Sequence, residues 1–207
     1  FFLFGLVTLL YLFGVRQQFL TVNIDASLTD QNAYLDAAAG LKSSGYTALT
    51  DRNRMPLYPF LLSLLYESGL SEAAFFGRGK LLNIGLSLLI LPALFLIFYR
   101  HFSLFTAVIL LLIHTFTVYI FKAAYVQADL LFYLLSFLGF YQMCRLLWQP
   151  SWRWAILTGI LLGLAHLTKA SILPGLIIYL FFAALKATAV YWKRSPAKPD
   201  QPIFHHL

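Results

Sequence analysis

The stretch LLNIGLSLLILPALFLIFY, residues 81–99, decides the fold class of this 207-residue chain. It carries no charged residue and is long enough, as an α-helix, to cross a hydrocarbon core that needs about 20 apolar residues. The whole chain has the same character, because 60% of its residues are hydrophobic and only 11% are charged. This composition excludes soluble globular, disordered and disulfide-rich secreted classes, and the single cysteine, Cys144, can form no internal disulfide.

Other apolar runs of similar length are each bounded by polar or charged residues. Together they give six predicted spans: Phe1–Leu20, Leu81–Tyr99, Ser103–Phe121, Asp129–Trp148, Trp154–Thr168 and Ala170–Trp192. We therefore predict an all-α integral membrane protein with about six transmembrane helices, in which residues 1–192 form one polytopic module. Residues 193–207 are predicted to be a cytoplasmic tail or linker. We expect the chain to be a fragment truncated at both ends, and its start inside an apolar run and without methionine indicates this for the N-terminal end.

Basic residues at alternate ends of the spans predict the orientation of the protein. Arg100, Arg145 with Arg153, and the cluster at 193–198 mark one set of connections as cytoplasmic by the positive-inside tendency. The opposite set contains residues 21–80, which we predict to be a long first extracytoplasmic loop. The basic residues form no continuous stripe, so the net charge of +7 fits a multi-pass protein of the cell membrane and gives no indication of nucleic-acid binding.

The predicted loop 21–80 holds most of the acidic residues of the chain. Within it, TDQNAYLDAAAGLKSSGY (29–46) predicts a helix with Thr29 or Asp30 at its N-cap and Gly45 as its stop. LYPFLLSLLY (57–66) follows a proline and predicts a short interfacial or re-entrant helix.

Two ionisable residues at the predicted membrane boundary suggest a functional site, because such residues are costly at membrane depth. Asp129 lies in AYVQADLLFYLL (124–135) and Lys169 in LAHLTKA (164–170), both on the predicted outer side. With Asp30 and Arg54 of the loop they provide two carboxylates and two cations. Transfer of a sugar from a lipid phosphate needs these groups, since a carboxylate can deprotonate an acceptor hydroxyl and cations can stabilise the departing phosphate.

The run TDQNAYLDAAAGLKSSGYTALTDRNRMPLYPFLLSLLY (29–66) resembles the first extracytoplasmic loop of superfamily C glycosyltransferases. These polytopic enzymes include protein O-mannosyltransferases and lipid A aminoarabinose transferases. The matching residues are Asp30, Tyr34, Gly45, Tyr46 and, in the Arg-x-Pro-x-Tyr-Pro element, Arg54, Pro56, Tyr58 and Pro59. QADLLFYLL (127–135) resembles the stretch where the family has another acidic residue, and GLAHLTKASILP (163–174) is similar to its Gly-Leu-Ala-x-Leu-Thr-Arg/Lys element.

The resemblance implies inverting transfer of a hexosyl or pentosyl unit from a polyprenyl-phosphate carrier to a glycan, lipid or protein acceptor on the extracytoplasmic side. It implies that Asp30 is the general base, that Asp129 orients the acceptor or the sugar, and that Arg54 and Lys169 stabilise the phosphate. Tyr34 and Tyr58 are expected to line the substrate pocket. Many relatives have Glu after the first Asp, whereas this chain has Gln31, so we assign no metal ligands and leave a divalent ion as an open question.

Several of these residues also have a purely structural interpretation. Asp30 could simply cap its helix, and Asp25 is an alternative base. Arg78 and Lys80 are interpreted as anchors of the second span at the headgroups. The alternative functions are a transporter or flippase, for which broken helices and related halves are expected but not found in the sequence, and a non-catalytic membrane scaffold.

Overall fold

The computed structural model of the protein describes residues 2–47 and 54–194. Within these residues the regular structure is helical and includes no β-strand. The α-helices are α1 (Phe2–Gln17), α2 (Gln31–Ser43), α3 (Leu57–Ser63), α4 (Glu72–His101), α5 (Leu104–His114), α6 (Ile120–Lys122), α7 (Asp129–Trp148), α8 (Trp152–Thr168) and α9 (Leu173–Arg194). Two π-helical turns, Gln18–Val22 and Thr115–Tyr119, extend α1 and join α5 to α6. Asp51 and the predicted tail from residue 195 onward lie outside the described residues.

Five helical stretches in the described part of the chain are long and apolar enough to cross a membrane. They are Phe2–Val22, Glu72–His101, Leu104–Lys122, Asp129–Trp148 and Ala170–Val190. This result confirms the predicted all-α, multi-pass membrane fold. The remaining predicted span, Trp154–Thr168, is helical as α8, but α8 has only 17 residues and is not among the five.

The second span begins earlier than predicted, because α4 starts at Glu72 and residues 72–80 are helix instead of loop. Ser71 caps this helix by accepting a hydrogen bond from the Ala74 amide at 3.3 Å. Arg78 donates to the Leu65 carbonyl at 2.9 Å and pairs with Glu67 at 2.8 Å. The early turns of α4 are therefore stabilised by groups that lie before it in the chain.

Lys80 is buried, so its expected role as a headgroup anchor is wrong. Its ammonium group donates to the carbonyl oxygens of Phe19 and Asn23 at 3.1 and 3.0 Å. These carbonyls lie at the end of the π-turn after α1, where helical hydrogen bonding stops and an outside donor is needed. Lys80 thus joins the end of α1 to the start of the membrane-spanning part of α4.

Close helix packing depends on small residues, as is usual in a membrane where apolar side chains gain nothing by leaving lipid. A methyl group added at Gly139 of α7 would lie 2.7 Å from Leu162 Cδ2 of α8. One added at Gly79 of α4 would lie 2.9 Å from Val126 Cγ2. The second glycine matters for the site described below, because Val126 lies in the turn that precedes Asp129.

The helices run alternately up and down, so their connections fall into two groups. The polar end is formed by the segment between α1 and α4, the turn 123–128 and the α8–α9 connection, and long-range hydrogen bonds join these parts. The basic end is formed by the α4–α5 and α7–α8 connections and carries Arg100, Arg145 and Arg153. In the described ranges every acidic residue lies at the polar end, in the segment 23–72 or at position 129.

Candidate active site at the polar end

The start of α2 is fixed to the bundle by two buried amide side chains. Asn23 and Gln31 form a reciprocal pair, with N···O distances of 2.8 and 2.9 Å. Gln31 Oε1 also accepts from the Val126 amide at 2.8 Å, and Asn23 donates to the Ala124 carbonyl at 2.6 Å. Buried polar groups need such partners, so this set fixes α2 against the turn that leads to Asp129.

A second buried set fixes α3. The Tyr58 hydroxyl donates to Asn83 Oδ1 at 3.0 Å, and Asn83 donates to the Gln127 carbonyl at 3.0 Å and to the Tyr125 carbonyl. Burial raises the pKa of Tyr58 well above its ordinary value. Tyr58 was expected to line the substrate pocket, but the structure buries it completely, behind Tyr34.

Asp30 lies at the N-cap position of α2, but its side chain makes no capping hydrogen bond. Instead, Asp30 Oδ1 lies 3.5 Å from an Arg54 guanidinium nitrogen. The Asp30 side chain is 76% exposed, whereas that of Arg54 is 16% exposed. Arg54 also lies over the Tyr34 ring, 5.0 Å from its centroid, and the Tyr34 ring meets Tyr58 edge-on at 5.2 Å. The carboxylate is therefore open to solvent, while its cationic partner rests on an aromatic platform.

Asp25, the alternative base, makes the capping contacts that Asp30 lacks. Its two carboxylate oxygens accept from the amide and the hydroxyl of Ser27, each at 2.8 Å. The backbone hydrogen bond and then the hydroxyl lower the pKa of Asp25. The Asp25 carboxylate is therefore engaged in the local turn at Ser27.

Asp129 lies in the first turn of α7 and is enclosed by two lysines. Its Oδ2 atom is 2.7 Å from Lys122 Nζ, and its Oδ1 atom pairs with Lys169 Nζ. The Asp129 side chain is only 12% exposed. Burial alone would lower the pKa of Lys169, but the hydrogen bond and charge of Asp129 outweigh it and raise the pKa. Lys169 therefore remains a cation at neutral pH.

Tyr34 links the two charged groups. Burial raises the pKa of its phenol, while the charges of Lys169 and Arg54 lower it and those of Asp129 and Asp30 raise it. The phenol is thus within electrostatic reach of both carboxylates and of a cation from each group. The structure brings Asp30, Arg54, Tyr34, Asp129 and Lys169 together at one end of the bundle.

A small cleft adjoins this group on the side of Lys122. It has a volume of about 390 Å³ and is lined by Val22, Phe121 and Tyr125 together with Lys122 and Gln127. Its walls are mostly apolar, and its polar groups include one end of the Lys122–Asp129 pair. Such a cleft can accept an apolar chain that ends in an anionic group.

A model of the dolichyl-phosphate-mannose-protein mannosyltransferase family matches residues 59–207. The chain belongs to this family. Members are membrane glycosyltransferases that use a dolichyl-phosphate sugar, and this confirms the resemblance found in the sequence. Lys122, Asp129 and Lys169 lie inside the matched part, whereas Asp30 and Arg54 precede it. Searches of curated proteins and of solved structures find no match to this mannosyltransferase-family chain.

In the described residues of this mannosyltransferase-family chain, no group of three His, Cys, Asp or Glu side chains could hold a metal ion. Gln31 uses its amide to join α2 to the turn 123–128. Asp30 and Asp129 each pair with cations. At this site the carboxylates therefore balance positive charge.

Two residues of the site in this family member, Lys122 and Asn83, were not predicted from the sequence. Lys122 lies seven residues before Asp129 in the chain. The path of the turn 123–128 brings their side chains into contact, and this path is not evident from the sequence. Asn83 carried a usable signal, because it is an amide inside an otherwise apolar predicted span. Its contacts with Tyr58 and Gln127 show why a polar residue occurs at that depth.

Proposed function

We propose that this mannosyltransferase-family protein moves a sugar from a polyprenyl-phosphate carrier to a hydroxyl of a glycan, lipid or protein acceptor, with inversion, on the extracytoplasmic side of the cell membrane. The observation that carries the proposal is that Tyr34, whose ring packs under Arg54 of the Asp30–Arg54 pair, is also within electrostatic reach of the Asp129–Lys169 pair. An open carboxylate and several cations at one membrane-facing end match the needs of this reaction.

Asp30 is the proposed general base. An acceptor hydroxyl is a poor nucleophile until its proton is removed, and Asp30 presents the more exposed of the two site carboxylates. As the hydroxyl oxygen attacks the anomeric carbon, its proton passes to Asp30 and the bond from the sugar to the phosphate oxygen breaks. Attack from the face opposite the phosphate inverts the anomeric centre.

Lys169 and Arg54 are the proposed partners of the departing lipid phosphate, and Lys122 adds a third cation beside them. Fixed cations stabilise charge as it develops on the leaving oxygen, and they need no reorganisation during the reaction. Both oxygens of Asp129 are taken by lysines. We therefore assign Asp129 as a positioning residue that orients Lys169 and Lys122, in place of the direct contact with substrate expected from the sequence.

The donor lipid can approach from the side of Lys122. The cleft lined by Val22 and Phe121 offers apolar walls next to this lysine, and it lies where the membrane-spanning helices end. The extracytoplasmic placement rests on charge, because Arg100, Arg145 and Arg153 lie at the opposite end and favour the cytoplasm.

Replacement of Asp30 tests the proposal. In membranes supplied with a radiolabelled polyprenyl-phosphate sugar, we expect Asp30→Asn to lower transfer by about a thousandfold, within the range for loss of a general base. Asp25→Asn is the matched control and should keep most of the activity, because Asp25 serves the local turn at Ser27. Full transfer by Asp30→Asn together with an inactive Asp25→Asn would show that the base is misassigned.

A further inference from the structure

A second cleft lies at the basic end, far from the candidate active site. It has a volume of about 580 Å³ and opens between the last turn of α4 and the last turns of α7. Phe98, Phe102 and Trp148 provide apolar walls, and Arg100 and Arg145 contribute two guanidinium groups. The cleft therefore combines an apolar surface with fixed positive charge.

The cations at this cleft have no acidic counterpart in the described part of the chain. The described ion pairs all involve Asp30, Glu67 or Asp129, which belong to the polar end. Arg145 rests over the Trp154 ring at 4.8 Å, a contact that leaves its charge uncompensated. Uncompensated cations of this kind complement an anion supplied from outside the chain.

The position of the cleft indicates where that anion comes from. Trp148 is 84% exposed and Trp152 is 69% exposed at the same end. Exposed tryptophans at the end of membrane-spanning helices are typical of the headgroup level of a bilayer. A ligand at this level has its acyl chains beside the apolar wall and its headgroup beside the arginines.

We infer that this cleft binds an anionic phospholipid of the surrounding leaflet. The phosphate lies between Arg100 and Arg145, and an acyl chain covers Phe98 and Phe102. This binding is separate from the proposed donor-lipid site, because the two clefts share no lining residue and lie at opposite ends of the helices.

Cys144 provides a direct probe, because it is the single cysteine of the chain, it is exposed, and it lines the cleft. The full 207-residue chain in neutral detergent is labelled with a maleimide in the presence of phosphatidylglycerol or phosphatidylcholine. We expect saturating phosphatidylglycerol to slow the alkylation of Cys144 at least about fivefold, because the arginines attract an anionic headgroup, and phosphatidylcholine to have little effect.

The double variant Arg100→Gln with Arg145→Gln should lose this protection. Arg153→Gln is the matched control, since Arg153 lies at the same end but over Trp152 and outside the cleft. Protection is expressed for each protein as the ratio of its alkylation rates without and with lipid, so that a change in the intrinsic reactivity of Cys144 on loss of the neighbouring Arg145 cancels. Native mass spectrometry provides a second measurement, in which phosphatidylglycerol stays bound to the wild type and to Arg153→Gln but is lost from the double variant.

Three outcomes overturn the inference. Equal protection by phosphatidylcholine means that the cleft binds acyl chains without selecting charge. Unchanged protection in the double variant means that the arginines do not bind the headgroup. Protection by a polyprenyl phosphate at lower concentration than phosphatidylglycerol assigns the cleft to the donor lipid instead of a leaflet phospholipid.

Discussion

The two carboxylates of the candidate site are placed in opposite ways. Asp30 is 76% exposed and has Arg54 at 3.5 Å, whereas Asp129 is 12% exposed and contacts both Lys122 and Lys169. An exposed carboxylate can receive a proton from a substrate, while one enclosed by two cations is stabilised as an anion and serves as their counter-ion. This difference suits Asp30 to proton transfer and Asp129 to the positioning of two cations.

Among the cations that pair with Asp129, the larger effect on activity should come from Lys169, whose charge also acts on Tyr34. We expect Lys169→Gln to lower kcat by about a hundredfold, the scale seen when one fixed stabiliser of developing charge is removed. Lys122→Gln is the matched control. It pairs with the same carboxylate, but its charge is not among those that act on Tyr34, so its loss should cost about tenfold. Single-turnover transfer assays measure both, and equal losses would mean that Lys169 has no special contact with the phosphate.

Removal of the buried carboxylate should affect stability more than removal of the exposed one. Asp129→Ala leaves two lysines without their counter-ion, and we expect the free energy of unfolding to fall by about 2 kcal/mol. This is less than the loss for a fully buried pair, because both lysine side chains reach solvent. Asp30→Ala is the control and should stay within about 0.5 kcal/mol of the wild type. Unfolding in mixed micelles compares the two, and a larger loss for Asp30→Ala would reverse their assigned roles.

The fold was predictable where each residue could be judged by its own hydropathy. The span Asp129–Trp148 agrees with α7 at both ends, since the polar and aromatic residues that bound it lie where the helix starts and stops. The start of α4 was not predictable in this way. Lys80 appears in the sequence as an exposed cation, but it is satisfied by the carbonyls of Phe19 and Asn23, which are far from it in the chain.

The candidate site was also predictable only in part, because some of its contacts join residues that are far apart in the chain. The residue types and order of Asp30, Tyr34 and Arg54 were sufficient to place them in one loop, and Asp129 and Lys169 were conspicuous at membrane boundaries. The enclosure of Asp129 by two lysines was not predictable, because it depends on the path of the turn 123–128. That path is fixed in turn by amide groups whose partners lie about a hundred positions away in the chain, as in the Gln31 contact with Val126.

A smaller effect on activity is expected from substitution of Tyr34, which packs against Arg54 of the Asp30–Arg54 pair. If its ring is the platform for Arg54, Tyr34→Phe should keep transfer within about twofold of the wild type, whereas Tyr34→Ala should raise KM for the donor by about fivefold, the equivalent of one cation–π contact. Steady-state assays at varied donor concentration measure the change. If Tyr34→Phe were as impaired as Tyr34→Ala, the phenol itself would contact the substrate.

The smallest expected effect concerns alkaline pH and distinguishes Asp129 from Asp30. Because Asp129 raises the pKa of Lys169, the ion pair contributes stability in full below the ordinary lysine pKa of about 10.4, and this contribution disappears as the pH rises through the raised value. In Asp129→Asn the contribution is absent, so the difference in stability between wild type and variant should be constant at neutral pH and shrink at the most alkaline values.

Asp30→Asn should show no such convergence, since Asp30 is not among the groups that raise the pKa of Lys169. Melting temperatures in detergent between pH 7 and the alkaline limit provide the test, and a constant gap for Asp129→Asn over the whole range would mean that Lys169 does not depend on Asp129 for its charge.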